Sequence, residues 1–163
     1  MRKFLLTIAV VTVLFACKKH SDQEAREPMV EEKANDLPLM PLRIKGQSQK
    51  SAKELTGNTV LIFYQPDCDH CQREAKEISE RLDQFKDYNI YFTTTESTEA
   101  IDRFAVDYNL SGRPNIYFAQ TTLDAILATV GPISAPSIFI YQDQKLVKHL
   151  DGETPVDEIL KFL

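Results

Sequence analysis

The sequence predicts an α/β domain built on a mixed central β-sheet flanked by helices. Three observations carry this reading. Apolar runs of strand length alternate with amphipathic helical segments through the middle of the chain. The last third reads as a hairpin followed by a closing helix. The stretch 39–163 has the length of one domain with one core, and it holds no internal repeat.

Taken in order, Leu39 to Ile44 is a candidate strand, and Pro41 inside it points to a sheet edge, because proline cannot donate to a central ladder. Ser51 to Leu55 reads as a short helical turn stopped by Gly57-Asn58. Thr59 to Tyr64 is an uninterrupted apolar, β-branched and aromatic run, the pattern of a strand buried on both faces. Gln65-Pro66-Asp67 turns the chain. Cys71, Ala75, Ile78, Leu82 and Phe85 then recur at helical spacing and predict one amphipathic helix, broken at Tyr88-Asn89. Ile90 to Thr94 is the next strand. Ser97 or Thr98 caps a helix whose inner face is Ile101, Phe104, Ala105 and Tyr108. Asn115 to Ala119 follows as a strand, and Thr121 or Thr122 caps a short helix with Leu123, Ile126, Leu127 and Val130 inward. Ser137 to Tyr141, Gln-Asp-Gln, and Lys145 to Leu150 form the hairpin. In the closing helix Thr154 is expected as N-cap, Pro155 at the first helical position and Asp157 three residues past the cap, with Val156, Ile159, Leu160 and Leu163 inward.

The N-terminus reads as a targeting segment. Arg2 and Lys3 precede an apolar core from Phe4 to Phe15, too short for a transmembrane helix. It closes on Leu14-Phe15-Ala16-Cys17, which resembles the lipobox of bacterial lipoproteins. That resemblance implies a signal peptide over 1–16 and lipidation of Cys17. It also implies a bacterial cell-envelope location, with the protein lipid-anchored to a membrane and facing the periplasm. Residues 17–38 are then the lipidated cysteine and a polar, flexible tether, with a short helix around Val30 to Asn35. The formal charge of −5 becomes more negative once Arg2 and Lys3 are removed, which argues against nucleic acid as a partner.

Of three cysteines, lipidation takes Cys17 and leaves Cys68 and Cys71. No disulfide framework is possible, and a bond within Cys-x-x-Cys closes too small a loop to staple a fold. Cys68-Asp69-His70-Cys71 falls where a buried strand hands over to a helix. There the first sulfur meets backbone N–H groups that favour negative charge, and thiolate is the attacking species in disulfide exchange. Cys68 is therefore the candidate nucleophile and Cys71 the resolving thiol. Half a zinc site needs two further ligands at recognisable spacing, and the only other histidines are His20 and His149, so no metal and no cofactor is expected. His70, as imidazolium, would stabilise the Cys68 thiolate, while the Asp69 carboxylate opposes it.

Together these features resemble the thioredoxin-fold superfamily: a buried strand runs into Cys-x-x-Cys, Ala135-Pro136 leads into a strand where that family carries a cis-proline, and Gly152 precedes the last helix. The resemblance covers 39–163. The stretch between Cys71 and Pro136 exceeds that of a minimal thioredoxin by about two dozen residues, room for an extra strand–helix unit. This resembles the membrane-anchored, extracytoplasmic ResA/TlpA-like thioredoxins, a group in which Glu74 also has a counterpart. The resemblance implies a monomeric thiol–disulfide oxidoreductase that exchanges disulfides with protein thiols, most naturally as a reductant, with an unspecified membrane electron donor or acceptor. It gives Glu74 a proton-relay role at Cys71, and Pro136 a cis bond whose backbone flanks the disulfide. Against the family pattern, Asp67 stands for tryptophan, Ile62 for a buried aspartate, Lys76 for a helix proline and Gln144 for the hairpin glycine. Two other activities compete. A thiol peroxidase would place Leu61 and Gln65 where peroxiredoxins carry proline and threonine or serine. A copper-binding module would use both thiolates and His70, with a spacing unlike its relatives. A redox-inert lipoprotein that uses the fold only for contacts is the remaining reading.

Overall fold

The computed structural model describes residues 35–163. The signal peptide, Cys17 and the tether as far as residue 34 lie outside the described residues. Seven strands form one sheet: β1 (Pro41–Ile44), β2 (Lys50–Ser51), β3 (Thr59–Phe63), β4 (Asn89–Thr94), β5 (Ile116–Gln120), β6 (Ser137–Gln142) and β7 (Lys145–Asp151). Their order is β2-β1-β5-β4-β3-β6-β7. Strands β3, β4 and β5 run parallel, while β1, β6 and β7 are antiparallel to their inner neighbours, so the sheet is mixed as expected.

Every residue of β3 is buried because both faces are covered. Val60, Ile62 and Tyr64 project to one side, where they meet α1 (Asp69–Glu80), α2 (Thr98–Asp107) and α4 (Val156–Ile159). Leu61 and Phe63 project to the other, against Leu37, Met40, Leu42 and Ile126 of α3 (Leu123–Thr129). The extra unit between the thiols and Pro136 supplies one parallel strand and one helix beyond the minimal alternation, which lengthens the sheet on the side away from β6.

The structure corrects several local expectations. The Pro41 strand is not the sheet edge: the two-residue β2 lies outside it, and Pro41 is tolerated because it is the first residue of its strand. Packing starts before residue 39: Leu37 is 1% exposed, its N–H donates to the Gln144 carbonyl at 3.0 Å, and Asp36 bridges Lys145. The thiol-bearing helix stops at Glu80. Arg81 leaves helical geometry at φ −131°, and Leu82–Phe85 tightens into a 3₁₀ turn that still buries Phe85 while Leu82 is only half-buried. In α3 only Ile126 is buried, packed on the central strands; Leu123 and Leu127, expected inward, are exposed and border an open groove. The last helix begins one residue later than expected. Pro155 is its N-cap, and Thr154 caps nothing; its hydroxyl donates to the Gly152 carbonyl instead. Glu77 of α1 does the capping from outside, accepting the Val156 N–H at 3.4 Å.

Candidate active site

Strand β3 delivers the chain to the end of the sheet, where Gln65 to Asp67 turns it into α1. Cys68 is the N-cap of that helix, with extended backbone and no capping side chain. Cys68 and Cys71 are both free thiols, one turn apart: the first is half-buried, the second 2% exposed. The Cys71 sulfur accepts the Gln65 N–H at 3.5 Å. Burial pushes its thiol up to about 12, an effect reinforced by Cys68 and Glu74 and only partly offset by the Gln65 N–H.

The turn before β6 meets this pair from the other side. The Ala135–Pro136 bond is cis, and the Ala135 carbonyl lies 3.6 Å from the Cys68 sulfur. Gly152 then ties the end of β7 to the same turn. Its φ of 83° suits glycine, and its N–H donates to the Pro136 carbonyl at 2.9 Å.

Glu74 is not the exposed, ion-paired helix residue that its charge would suggest. It is 2% exposed, and its Oε2 accepts the Thr154 N–H at 3.0 Å. Burial raises its carboxyl to about 7; the Thr154 bond pulls the other way, and the nearby Glu153 and Glu77 charges add to the rise. A buried carboxyl poised near neutrality, within electrostatic reach of a buried thiol, has the properties of a proton carrier.

His70 is exposed, and its Nδ1 lies 2.5 Å from Glu153 Oε2. A proton on Nδ1 serves the Glu153 carboxylate, whereas a lone pair there serves the Arg73 guanidinium, so each tautomer makes one of the two bonds. Arg73 Nη2 approaches the same nitrogen at 2.7 Å and donates to Glu153 Oε2 at 2.6 Å, while Arg73 Nε donates to Oε1 at 2.7 Å. The Arg73 bonds first, and His70 second, hold the Glu153 carboxyl down at about 2. Among the described residues no hydrogen bond joins His70 to Cys68.

The structure thus brings Cys68, Cys71, Glu74 and Pro136 into one site and places His70 at its rim. Sequence reasoning missed Glu153 and Arg73; backbone beside Pro136 was expected to flank the sulfurs, and the Ala135 carbonyl is the group found there. Nothing in their spacing connects residue 153 to residue 70; the only hint was the Gly152 punctuation just before the last helix. His149, the other histidine of the domain, stacks on Phe139 at 4.0 Å and bonds Ser137 through Nε2 at 2.8 Å. Among the described residues no group of three or more His, Cys, Asp or Glu side chains is arranged to hold a metal ion.

Comparison with known proteins agrees with this picture. The AhpC/TSA family model matches residues 30–149. No curated protein matches the chain significantly. Solved structures do. A secreted Mycobacterium tuberculosis disulfide oxidoreductase homologous to E. coli DsbE superposes with a TM-score of 0.64 at 18% identity, covering 80% of this chain and 96% of that one. StoA from Bacillus subtilis gives 0.59 at 12% identity, over 75% and 93% of the two chains. Arabidopsis thaliana ScoI with copper bound gives 0.60 at 14% identity, over 77% and 93%. At such identities the likeness establishes the thioredoxin-like fold.

Proposed function

The chain belongs to the AhpC/TSA family, and on that footing we propose that it is a thiol–disulfide oxidoreductase acting on extracytoplasmic protein disulfides. The observation that supports this most is the asymmetry of the two thiols. One is accessible at a helix N-terminus against the cis-proline turn; the other is buried beneath it beside a buried carboxyl.

The residues divide the chemistry as follows. The Cys68 thiolate attacks a partner disulfide; the partner's S–S bond breaks, a mixed disulfide forms, and one partner thiolate leaves. Cys71, with its thiol near 12, cannot ionise unaided at neutral pH, and Glu74, close to half-ionised there, is the group able to take its proton. The Cys71 thiolate then displaces the partner's second sulfur from Cys68. Two electrons pass to the partner, and the Cys68–Cys71 disulfide remains. The Ala135-Pro136 turn offers backbone groups for an extended partner segment, in the manner of strand addition.

We assign the reductive direction, the lipid anchor at Cys17 and the envelope location on the resemblance given above. The peroxidase reading has less support, because Leu61 is buried in β3 and Gln65 uses its backbone N–H on Cys71. A Cys71→Ser variant expressed in its native envelope tests the proposal. Protein partners should accumulate on Cys68 as mixed disulfides that dithiothreitol releases. No adduct on Cys68, or hydrogen peroxide consumption by the reduced protein in place of disulfide exchange, would overturn it.

A further inference from the structure

Glu153 contributes nothing to the apolar core and sits on a turn, yet its position is fixed from both sides. Its predecessor Gly152 is bonded to the Pro136 carbonyl at 2.9 Å, and its successor Thr154 to the Glu74 carboxylate at 3.0 Å. The residue is therefore suspended between the cis-proline turn and the buried carboxyl. From there its side chain takes both cationic-type groups in the first two turns of α1: Arg73 through two bonds of 2.7 and 2.6 Å, and His70 through one of 2.5 Å.

We propose that Glu153 is a positioning residue for the Cys68–Cys71 couple, occupying Arg73 and His70 so that their charge is withheld from the Cys68 thiolate and the couple stays reducing. The inference rests on the oxidoreductase reading above and adds to it the residue that sets the potential. Geometry supports it. Cys68 caps the helix that carries His70 and Arg73 in its first two turns. Glu153 follows the glycine bonded to the Pro136 carbonyl, and the Ala135 carbonyl of that cis-proline turn lies 3.6 Å from the Cys68 sulfur. A cation beside the thiolate favours the reduced protein and makes the disulfide more oxidising. The bidentate carboxylate cancels that cation, and it is ionised at every pH at which the exchange runs. Asp69 lies within electrostatic reach of Arg73, and Glu74 within reach of Glu153 and Glu77; farther along the same seam Asp157 is paired with Arg81.

The test uses the full chain equilibrated with a glutathione couple. In the reaction read, the reduced protein and glutathione disulfide give the Cys68–Cys71 disulfide and two glutathione thiols. One S–S bond forms as another breaks, and two electrons and two protons move. Glu153→Gln should shift the equilibrium toward the reduced protein by about tenfold, which is ~30 mV for a two-electron couple. It should also speed alkylation of Cys68 at fixed pH. Glu153→Asp, which keeps the charge, should remain within about twofold of the wild type. In a His70→Asn, Arg73→Ala background the Glu153→Gln shift should vanish, and added salt should shrink it in the parent, since the groups are exposed. An unchanged or more reducing Glu153→Gln couple, or a shift that persists in the double-variant background, would overturn the inference. If the wild type itself never closes the disulfide, the oxidoreductase reading fails. If the wild type cycles and the variant matches it, only the role of Glu153 fails.

Discussion

Replacing Glu74 by glutamine tests the buried carboxyl directly. The side chain is 2% exposed, so solvent does little to screen it, and its carboxyl stands at about 7 against an ordinary 4.5. Between those values the native protein holds a proton that the unfolded chain releases, so the wild type loses stability as pH rises through this window. Glutamine keeps the shape and an acceptor for the Thr154 N–H but does not titrate. Any fixed cost of its buried amide is the same at every pH and cancels in the comparison. Working the linkage with the two values, wild-type stability relative to Glu74→Gln should fall by about 2–3 kcal/mol between about pH 5 and about pH 8. Urea unfolding of both proteins at the two pH values, with the thiols kept reduced and equal m-values verified, measures this. Stability curves that run parallel to within about 0.5 kcal/mol would mean that Glu74 titrates like an ordinary carboxyl, and the proton-carrier argument would fall with it. A difference of the opposite sign would point to a cationic partner for Glu74.

Three further outcomes follow from the same geometry. Iodoacetamide at about pH 8 should modify Cys68 well before Cys71, because Cys71 is buried and about four decades short of ionising; equal labelling by peptide mass analysis would contradict this. Tyr64→Phe should be neutral or stabilising by up to ~1 kcal/mol in thermal or urea unfolding, since the buried hydroxyl has no hydrogen-bond partner among the described residues; a loss above ~1 kcal/mol would reveal a partner. Gln144→Gly should stabilise by about 0.5–1 kcal/mol: the left-handed strain relieved exceeds the entropy gained by the unfolded chain, and a destabilised variant would refute the balance. Gln144 sits at φ 67° after Asp143 at φ 49° in the two-residue hairpin turn.

The architecture was legible because strand and helix periods do not depend on distant partners. The run Thr59 to Tyr64 could only be a doubly covered strand, and the spacing of Cys71, Ala75 and Ile78 could only be a buried helix face. Errors arose where tertiary contacts replaced local signals. Thr154 looked like a cap, but the Val156 N–H it might have served is taken by Glu77 from another helix, and its own N–H goes to Glu74. Leu123 and Leu127 carried the spacing of a buried face, yet they border an open groove of about 300 Å³ that also touches Ile133 and Ala135. Two-residue β2 was too short to have any period at all. At the site, Cys68 and Cys71 announced themselves by spacing, and Pro136 by position before a strand. Glu74 could be named from resemblance, but its burial could not be read, because a glutamate on a helix gives no sign of which neighbour will close over it. Glu153 carried no local signal; its partners lie on the far side of the sequence.

The stripe His70, Arg73, Glu74 and Glu77 along α1, with Arg81 just past its end, meets the segment Glu153 to Asp157 through side chains and single backbone N–H groups, with no strand ladder between them. Such a junction separates two kinds of inheritance. Substitutions among the aromatic and aliphatic residues under the sheet alter whether the molecule holds together. On the proposal made for Glu153, exchanging the exposed charges of this seam changes how the sulfurs behave and leaves the apolar core untouched. If that proposal holds, a lineage built on this frame can drift between donating and accepting electrons by changing a few surface charges, without revisiting how it folds.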